Sequence, residues 1–295
     1  MRTLSLGLAL GAGGTKGAAH VGVMRVLADA GITPQVIAGA SVGALYGGAV
    51  AVGRTPHEIE EGIRTCPRID VVRFFGRRLK IRDNNRLARR FYEALAGHYI
   101  EQLPVRFAAV TSDIVERRQY VIDRGPIIDA IEASIAIPII ARPVVHQGRY
   151  LLDGGFWDSA PTGVAHDLGA DVIVSVEIAR PVSIPERLRK PALTLAGRLE
   201  SIALRRTLAG LPFSIHAMSS DLQPGRAAHV RIRPRTRGLS GNSPFFMTQC
   251  LDAGIEAAEQ ALPSIRALLA GEPIMDVAEE LAPAPARPTI EPGLA

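Results

Sequence analysis

Twice within its first 53 residues this chain runs from an uncharged apolar stretch through a glycine-rich turn into a helix-like pattern. Leu4 to Leu10 leads into GAGGTKGAAH (residues 11–20), and Val36 to Gly39 leads into the turn around Ser41 and a helix from Val42. Strands without polar alternation are buried on both faces, the condition of strands in a parallel sheet covered by helices. Two such units in succession point to an α/β fold with a mostly parallel sheet.

The alternation continues down the chain. A helix over 16–30 is expected to close at Gly31, where a glycine can take the left-handed conformation. Thr55-Pro-His-Glu58 has the composition of a capping box with proline in the first turn. Strands are expected at 105–112 and 118–122, a helix from Pro126 to Ala133, and a strand ending at Leu152. A helix near 160–168 and a strand over 171–178 follow. Beyond residue 180 the periodicity weakens into a connector, a helix over 192–209, and a helix from Ser243-Pro244 to Leu262 that Pro263 interrupts or kinks. The expectation is one domain over 1–275, its motifs between 4 and 178 and a less specific helical part over 181–275. The Pro/Ala-rich tail, 276–295, is expected to be disordered.

Residues 34–53 carry no charge and are long enough for a membrane span, but they are dense in Gly, Ala and Ser and divide into strand, turn and helix. The N-terminus resembles a secretory leader only superficially: its apolar part is short and the supposed cleavage region is the glycine turn. Cys66 and Cys250 have no metal-ligand spacing. Free thiols in a reducing compartment are expected, with one disulfide the alternative. The chain is therefore expected to be cytoplasmic.

The formal charge is +5. The most basic segment, residues 68–90, holds nine Lys or Arg against two Asp, with Phe74, Phe75 and Leu79 among them. It suits peripheral contact with an anionic membrane, against the plainer reading of a solvated surface that packs its apolar residues inward. No nucleic-acid motif accompanies the charge, so nucleic acid is not expected as a partner.

A strand, a glycine-rich turn and a helix aim backbone N–H groups at something negative. The turn is no phosphate loop, since Lys16 precedes Gly17 and no hydroxyl residue follows it. It fails the dinucleotide pattern as well, because the position of the third glycine is Lys16, and no strand-terminal Asp or Glu stands about twenty residues on, where Gln35 to Gly39 lie. Gly39-Ala40-Ser41-Val42-Gly43 has the form G-x-S-x-G between a strand and a helix, which describes a nucleophile elbow. The plainer alternative is a glycine-rich turn with an idle serine. None of the seven histidines, at 20, 57, 98, 146, 166, 216 and 229, stands in a glycine-flanked loop after a strand, and His20 and His166 read as packing or surface residues. Asp153, in contrast, ends an apolar strand before Gly154-Gly155, where a sheet presents a side chain into a crevice.

The ordered set GAGGTKGAAHVGV, GASVG, ASIAIP and DGGFWDSAP resembles the patatin-like phospholipase family, in particular its compact bacterial members related to the catalytic domain of neuropathy target esterase. The likeness runs from about Leu4 to Ile178. It implies a three-layer α/β/α fold and a Ser–Asp dyad that uses neither histidine, metal nor cofactor. Carried over by position, Ser41 is the nucleophile and Asp153 its partner, with the N–H groups of Gly13, Gly14 and Thr15 forming the oxyanion hole. Gly11, Lys16, Gly39, Gly43, Gly154 and Gly155 support the site. Ala12 departs from the family, in which many members have another glycine. Thr111-Ser112-Asp113 and the run 133–138 match as scaffold.

The implied substrate is a lipid or ester, phospholipid or lysophospholipid first and a simple carboxylic ester second. An acyltransferase uses the same residues, a homo-oligomer stays open, and a non-catalytic lipid-binding module is the opposing class. A histidine triad is the third alternative: it predicts a rate falling below pH about 6 and a histidine variant as inactive as the serine variant. The dyad is expected to show neither.

Overall fold

A computed structural model describes residues 4–65, 86–137, 141–156, 160–178, 227–236, 239 and 244–272. Its strands are β1 (Leu6–Leu10), β2 (Val36–Ala40), β3 (Arg106–Asp113), β4 (Arg118–Ile122), β5 (Val144–His146), β6 (Arg149–Asp153), β7 (Val172–Val176) and β8 (Val230–Ile232). Its helices are α1 (Ala18–Asp29), α2 (Val42–Ala51), α3 (Pro56–Arg64), α4 (Arg86–Leu95), α5 (Ile127–Ser134), α6 (Thr162–Asp167) and α7 (Pro244–Leu269). A 3-10 turn, Gly14–Gly17, stands between β1 and α1.

The strands join in one sheet, ordered β5-β6-β3-β2-β1-β7-β8 with β4 also on β3. β1, β2, β3, β7 and β8 run parallel, while β4 and β6 are antiparallel to β3, and β5 to β6. Every residue of β1, β2 and β7 is buried, as expected of strands with helices on both faces. The faces differ in bulk. Leu6, Leu8, Leu10, Ile37 and Val174 pack with residues of α1, α2, α5 and α7, whereas Ala9, Ala38 and Ala108 meet Val164 and Ala165 of α6.

The register brings two strand tips together. β3 carries β2 along residues 106–110 and β6 along 111–113, and β4 overlaps both of these stretches. A strand has two edges, so β2 and β6 must share the one that β4 does not occupy. They approach from opposite directions and meet tip to tip: Ala40 stands opposite Val110, and Asp153 opposite Thr111.

Local sequence sets the helix ends. Gly31 (φ 72°) closes α1, with Gly31 N–H donating to Ala28 O and Ile32 N–H to Leu27 O, as in a Schellman motif. The Thr55–Glu58 capping box forms with Pro56 at the helix start. Residues 34–53 form β2 and α2, and no described helix is long and apolar enough to cross a membrane.

Three local expectations change. The strand ending near Leu152 reaches Asp153 and has a hairpin partner, β5, joined through Gln147 and Gly148 at positive φ. The short strand β8 extends the parallel sheet past β7. Helix α7 continues through Pro263 to Leu269. Pro263 and Glu259, whose carbonyl the proline leaves without a helical donor, are both exposed residues, and Ile265 anchors the next turn in the core. The basic segment 68–85, the helix expected over 192–209 and the tail lie outside the described residues.

Candidate active site

The turn after β2 is shaped by close backbone approach. A Cβ on Gly39 would come within 2.5 Å of the Ala44 backbone, and one on Gly43 would run into the carbonyl oxygen of Leu10. Between them Ser41 adopts φ 55° and ψ −125°, a conformation that L side chains rarely take. It stands at the N-cap of α2 without capping it, so the hydroxyl is available to another partner. Its backbone N–H donates to Ser134 Oγ (2.9 Å), which itself donates to Val110 O (2.6 Å).

That partner is Asp153. Ser41 Oγ donates to Asp153 Oδ2 across 112 positions of sequence. The carboxylate's other oxygen accepts the Gly155 N–H at 2.8 Å. The backbone of Asp153 is fixed on both sides: its N–H donates to Ala136 O (2.9 Å), and its carbonyl accepts the Ser112 hydroxyl (2.8 Å). Ser41 and Asp153 are 3% and 6% exposed. Burial pushes the Asp153 carboxyl up to about 6, with the hydrogen bonds from Ser41 and Gly155 pulling the other way.

The direction of this shift bears on the pH expectation: with so raised a carboxyl, a Ser–Asp pair would also lose its base in mild acid, and a falling rate would not separate it from a histidine triad. Histidine substitution still can. Among the described residues no histidine is hydrogen-bonded to either member of the dyad. His57 faces Asp29, His166 faces Asp167, and His229 accepts the Ile173 N–H.

His20 is fully buried and donates from Nε2 to Gly11 O at 2.7 Å. Gly11 accepts only through its carbonyl, so the proton is on Nε2, and Nδ1 has no partner. Burial lowers this histidine to about 4 despite the Gly11 hydrogen bond, leaving it neutral. The Gly11 N–H donates to Val176 O (3.0 Å), so the entry to the glycine-rich loop is held at both polar atoms.

The loop touches both halves of the dyad's surroundings. A Cβ on Gly17 would clash with Val42, next to the nucleophile, and one on Gly155 would lie 2.5 Å from the Ala12 methyl and 3.1 Å from Asp153 Oδ1. Gly14 has φ 55°, and Gly14 and Thr15 open a 3-10 turn, where the first N–H groups have no acceptor within the helix. Cys250, buried behind Lys16, has its thiol pushed by burial up to about 11 and is inert as a nucleophile. No cluster of three metal-ligating side chains occurs among the described residues.

Sequence reasoning found Ser41 and Asp153, and the structure brings them together. It assigned Ser112 and Ser134 only to matching runs, and it read His20 as packing. No local sequence signal separates these three from polar residues that merely fill the core.

A fold of this class with this elbow has known relatives. The family model for patatin-like phospholipase matches residues 8–166, and the chain belongs to that family. It is 33% identical over 190 residues to an uncharacterized NTE family protein of Mycobacterium bovis, covering 63% of this chain and 52% of that protein. A lysophospholipase NTE1 of Mycosarcoma maydis is 29% identical over 189 residues, 59% of this chain and 10% of the relative. The chain thus spans about half the length of the bacterial relatives it matches. The crystal structure of VipD from Legionella pneumophila superposes with a TM-score of 0.52 at 16% identity, covering 89% of this chain and 67% of that one, a likeness of fold.

Proposed function

We propose that this protein hydrolyses acyl ester bonds of lipids, as a phospholipase A or lysophospholipase, through Ser41 and Asp153. The observation that carries the reading is the hydrogen bond from the Ser41 hydroxyl to a buried carboxylate at a strained strand–helix turn. Family membership and the lysophospholipase names among the relatives support the substrate class.

In the first step Ser41 Oγ attacks the ester carbonyl carbon as its proton passes to Asp153 Oδ2. A carboxylate raised to about 6 is a stronger base than an exposed one, yet stays ionised at neutral pH. The carbonyl oxygen becomes an oxyanion facing the N–H groups of Gly13, Gly14 and Thr15, each good donor contributing about 3 kcal/mol. Ser41 also stands at the N-terminus of α2, whose dipole favours the developing charge. The intermediate collapses with the proton of Asp153 moving to the leaving alkoxide. Water, deprotonated by the same carboxylate, then releases the fatty acid from the acyl-enzyme. No histidine or metal has a part in these steps.

The test is hydrolysis of a medium-chain p-nitrophenyl ester and of a lysophospholipid by wild type, Ser41→Ala and Asp153→Asn. Folded but inactive variants support the dyad, and the ratio of wild-type rates ranks the two substrates. An active Asp153→Asn sinks the mechanism. A wild type inert on both substrates favours the non-catalytic binding module.

A further inference from the structure

Among the described residues five large apolar side chains are markedly exposed, and three of them gather in one corner of the sheet: Val115 (56%), Val145 (62%) and Tyr150 (40%). Val145 and Tyr150 are direct cross-strand partners in the β5–β6 hairpin. Val115 lies in the β3–β4 turn, one residue past Ile114, whose N–H donates to Tyr150 O at 3.1 Å. Scattered exposed apolar residues need no explanation, but a cluster on an otherwise well-buried fold marks a contact surface.

The corner is built rigidly. Arg149 on β6 is 2.7 Å from both Asp113 and Glu116, which belong to β3 and its turn, and stacks over the Tyr120 ring of β4 at 4.9 Å. Tyr120 Oη in turn donates to Gln147 at the hairpin tip (3.1 Å). The corner has a slight cationic excess: Arg117, Arg118 and Arg149 stand against Asp113 and Glu116, with Arg118 and Arg149 holding the two carboxylates in ion pairs and Arg117 outside them.

Its position matters as much as its composition. β3 passes Asp153 at Thr111 and carries on to the turn holding Val115, and β6 leads back from Asp153 to Tyr150. At about 3.3 Å per residue, the corner stands roughly 10–13 Å beyond Ser41 and Asp153, at the end of the sheet where the tips of β2 and β6 meet.

We propose that this corner docks the protein on an anionic lipid bilayer. The valines and the tyrosine enter the headgroup region, and the arginines meet lipid phosphates. The choice of a bilayer over another apolar partner rests on the lipid-hydrolase reading; the existence of a contact surface does not.

The experiment is sedimentation of the full chain with phosphatidylcholine vesicles and with phosphatidylcholine–phosphatidylglycerol vesicles, at low and high salt. It uses the Ser41→Ala background, so binding is read apart from catalysis. The expected result is binding that is stronger with the anionic lipid, falls with salt, and drops at least tenfold in Val115→Asp/Val145→Asp. The milder Val115→Ser/Val145→Thr should lose a smaller part, and circular dichroism and melting should match the parent for both. Binding that survives both pairs unchanged, or a parent that ignores vesicles altogether, overturns the proposal. So does a parent that self-associates in gel filtration while the variants do not, since the corner would then be a protein contact. Vesicle binding through this corner by a protein whose wild type hydrolyses no lipid would leave the surface standing and remove the enzyme.

Discussion

Ser134 Oγ accepts the Ser41 N–H and donates to the Val110 carbonyl, so a single hydroxyl ties the strained backbone of Ser41 to the neighbouring strand. Ser134→Ala leaves a buried donor and a buried acceptor without partners, at a cost of about 1–3 kcal/mol. Because the elbow is also freed to relax, kcat is expected to fall about 10- to 100-fold with little change in KM. Denaturant unfolding and steady-state kinetics read the two effects separately. Unchanged kcat would show that the elbow holds itself.

The rate on a soluble ester should fall with an apparent pKa near 6 as Asp153 takes up its proton. The stability effect has the opposite sense. Folding raises this carboxyl from 3.8, so its contribution is fully present below about pH 4 and is lost as pH rises through 6. Asp153→Asn is therefore expected to be inactive and, at pH 8, more stable than wild type by up to about 3 kcal/mol. Melting at pH 4 and pH 8 checks this. The difference should vanish at the lower pH.

His20 acts in the other direction. Folding depresses it from 6.5 to about 4, so the stability of the neutral, buried ring is present above 6.5 and is lost as pH falls through about 4. His20→Phe removes that acid sensitivity but leaves Gly11 O without its donor, a loss of about 1–3 kcal/mol at neutral pH. His20→Gln keeps a donor and should recover part of that stability. Urea unfolding of the three proteins at pH 5 and pH 7.5 distinguishes these effects.

Ala12 and Gly155 are complementary in size, because a methyl on Gly155 would overlap the one on Ala12. Gly155→Ala is expected to lose most activity by pushing the loop away from Asp153. In Ala12→Gly/Gly155→Ala the main clash is gone, leaving the tight 3.1 Å approach to Asp153 Oδ1, so partial recovery is expected. A double-mutant cycle on kcat/KM measures the coupling. Strict additivity would show that the two residues do not oppose each other.

The strands of the central sheet were legible because Leu6–Leu10, Val36–Ala40 and Val172–Val176 are unbroken apolar runs, and a strand buried on both faces writes itself that way. β5 and β8 have three residues each, and their partners rather than their own sequences make them strands. Pro263 shows the converse: its local rule holds for the hydrogen bond but not for the helix, which continues on an exposed face while Ile265 is held in the core. At the site, Ser41 and Asp153 stood out by their glycine neighbours, a backbone requirement that any sequence displays. The partners Ser134 and His20 did not, since an isolated buried serine or histidine looks the same whether it holds a catalytic turn or fills a gap. The basicity of Asp153 comes from neighbours assembled across the whole sheet, which no local pattern encodes.

Helix α7 lies against α1 so closely that a Cβ on Gly22 would strike the Leu251 carbonyl, and one on Gly254 the Ala19 carbonyl. α1 begins immediately after the glycine-rich loop and carries His20, which grips the loop's first residue. The backing of that loop is thus supplied by residues 244–269, far beyond the last position, 166, that the family model recognises. The stretch that the family model matches and the packing that supports the loop end at different points along this chain. A fragment trimmed to residues 8–166 would keep Ser41 and Asp153 and lose the helix that backs the glycine-rich loop.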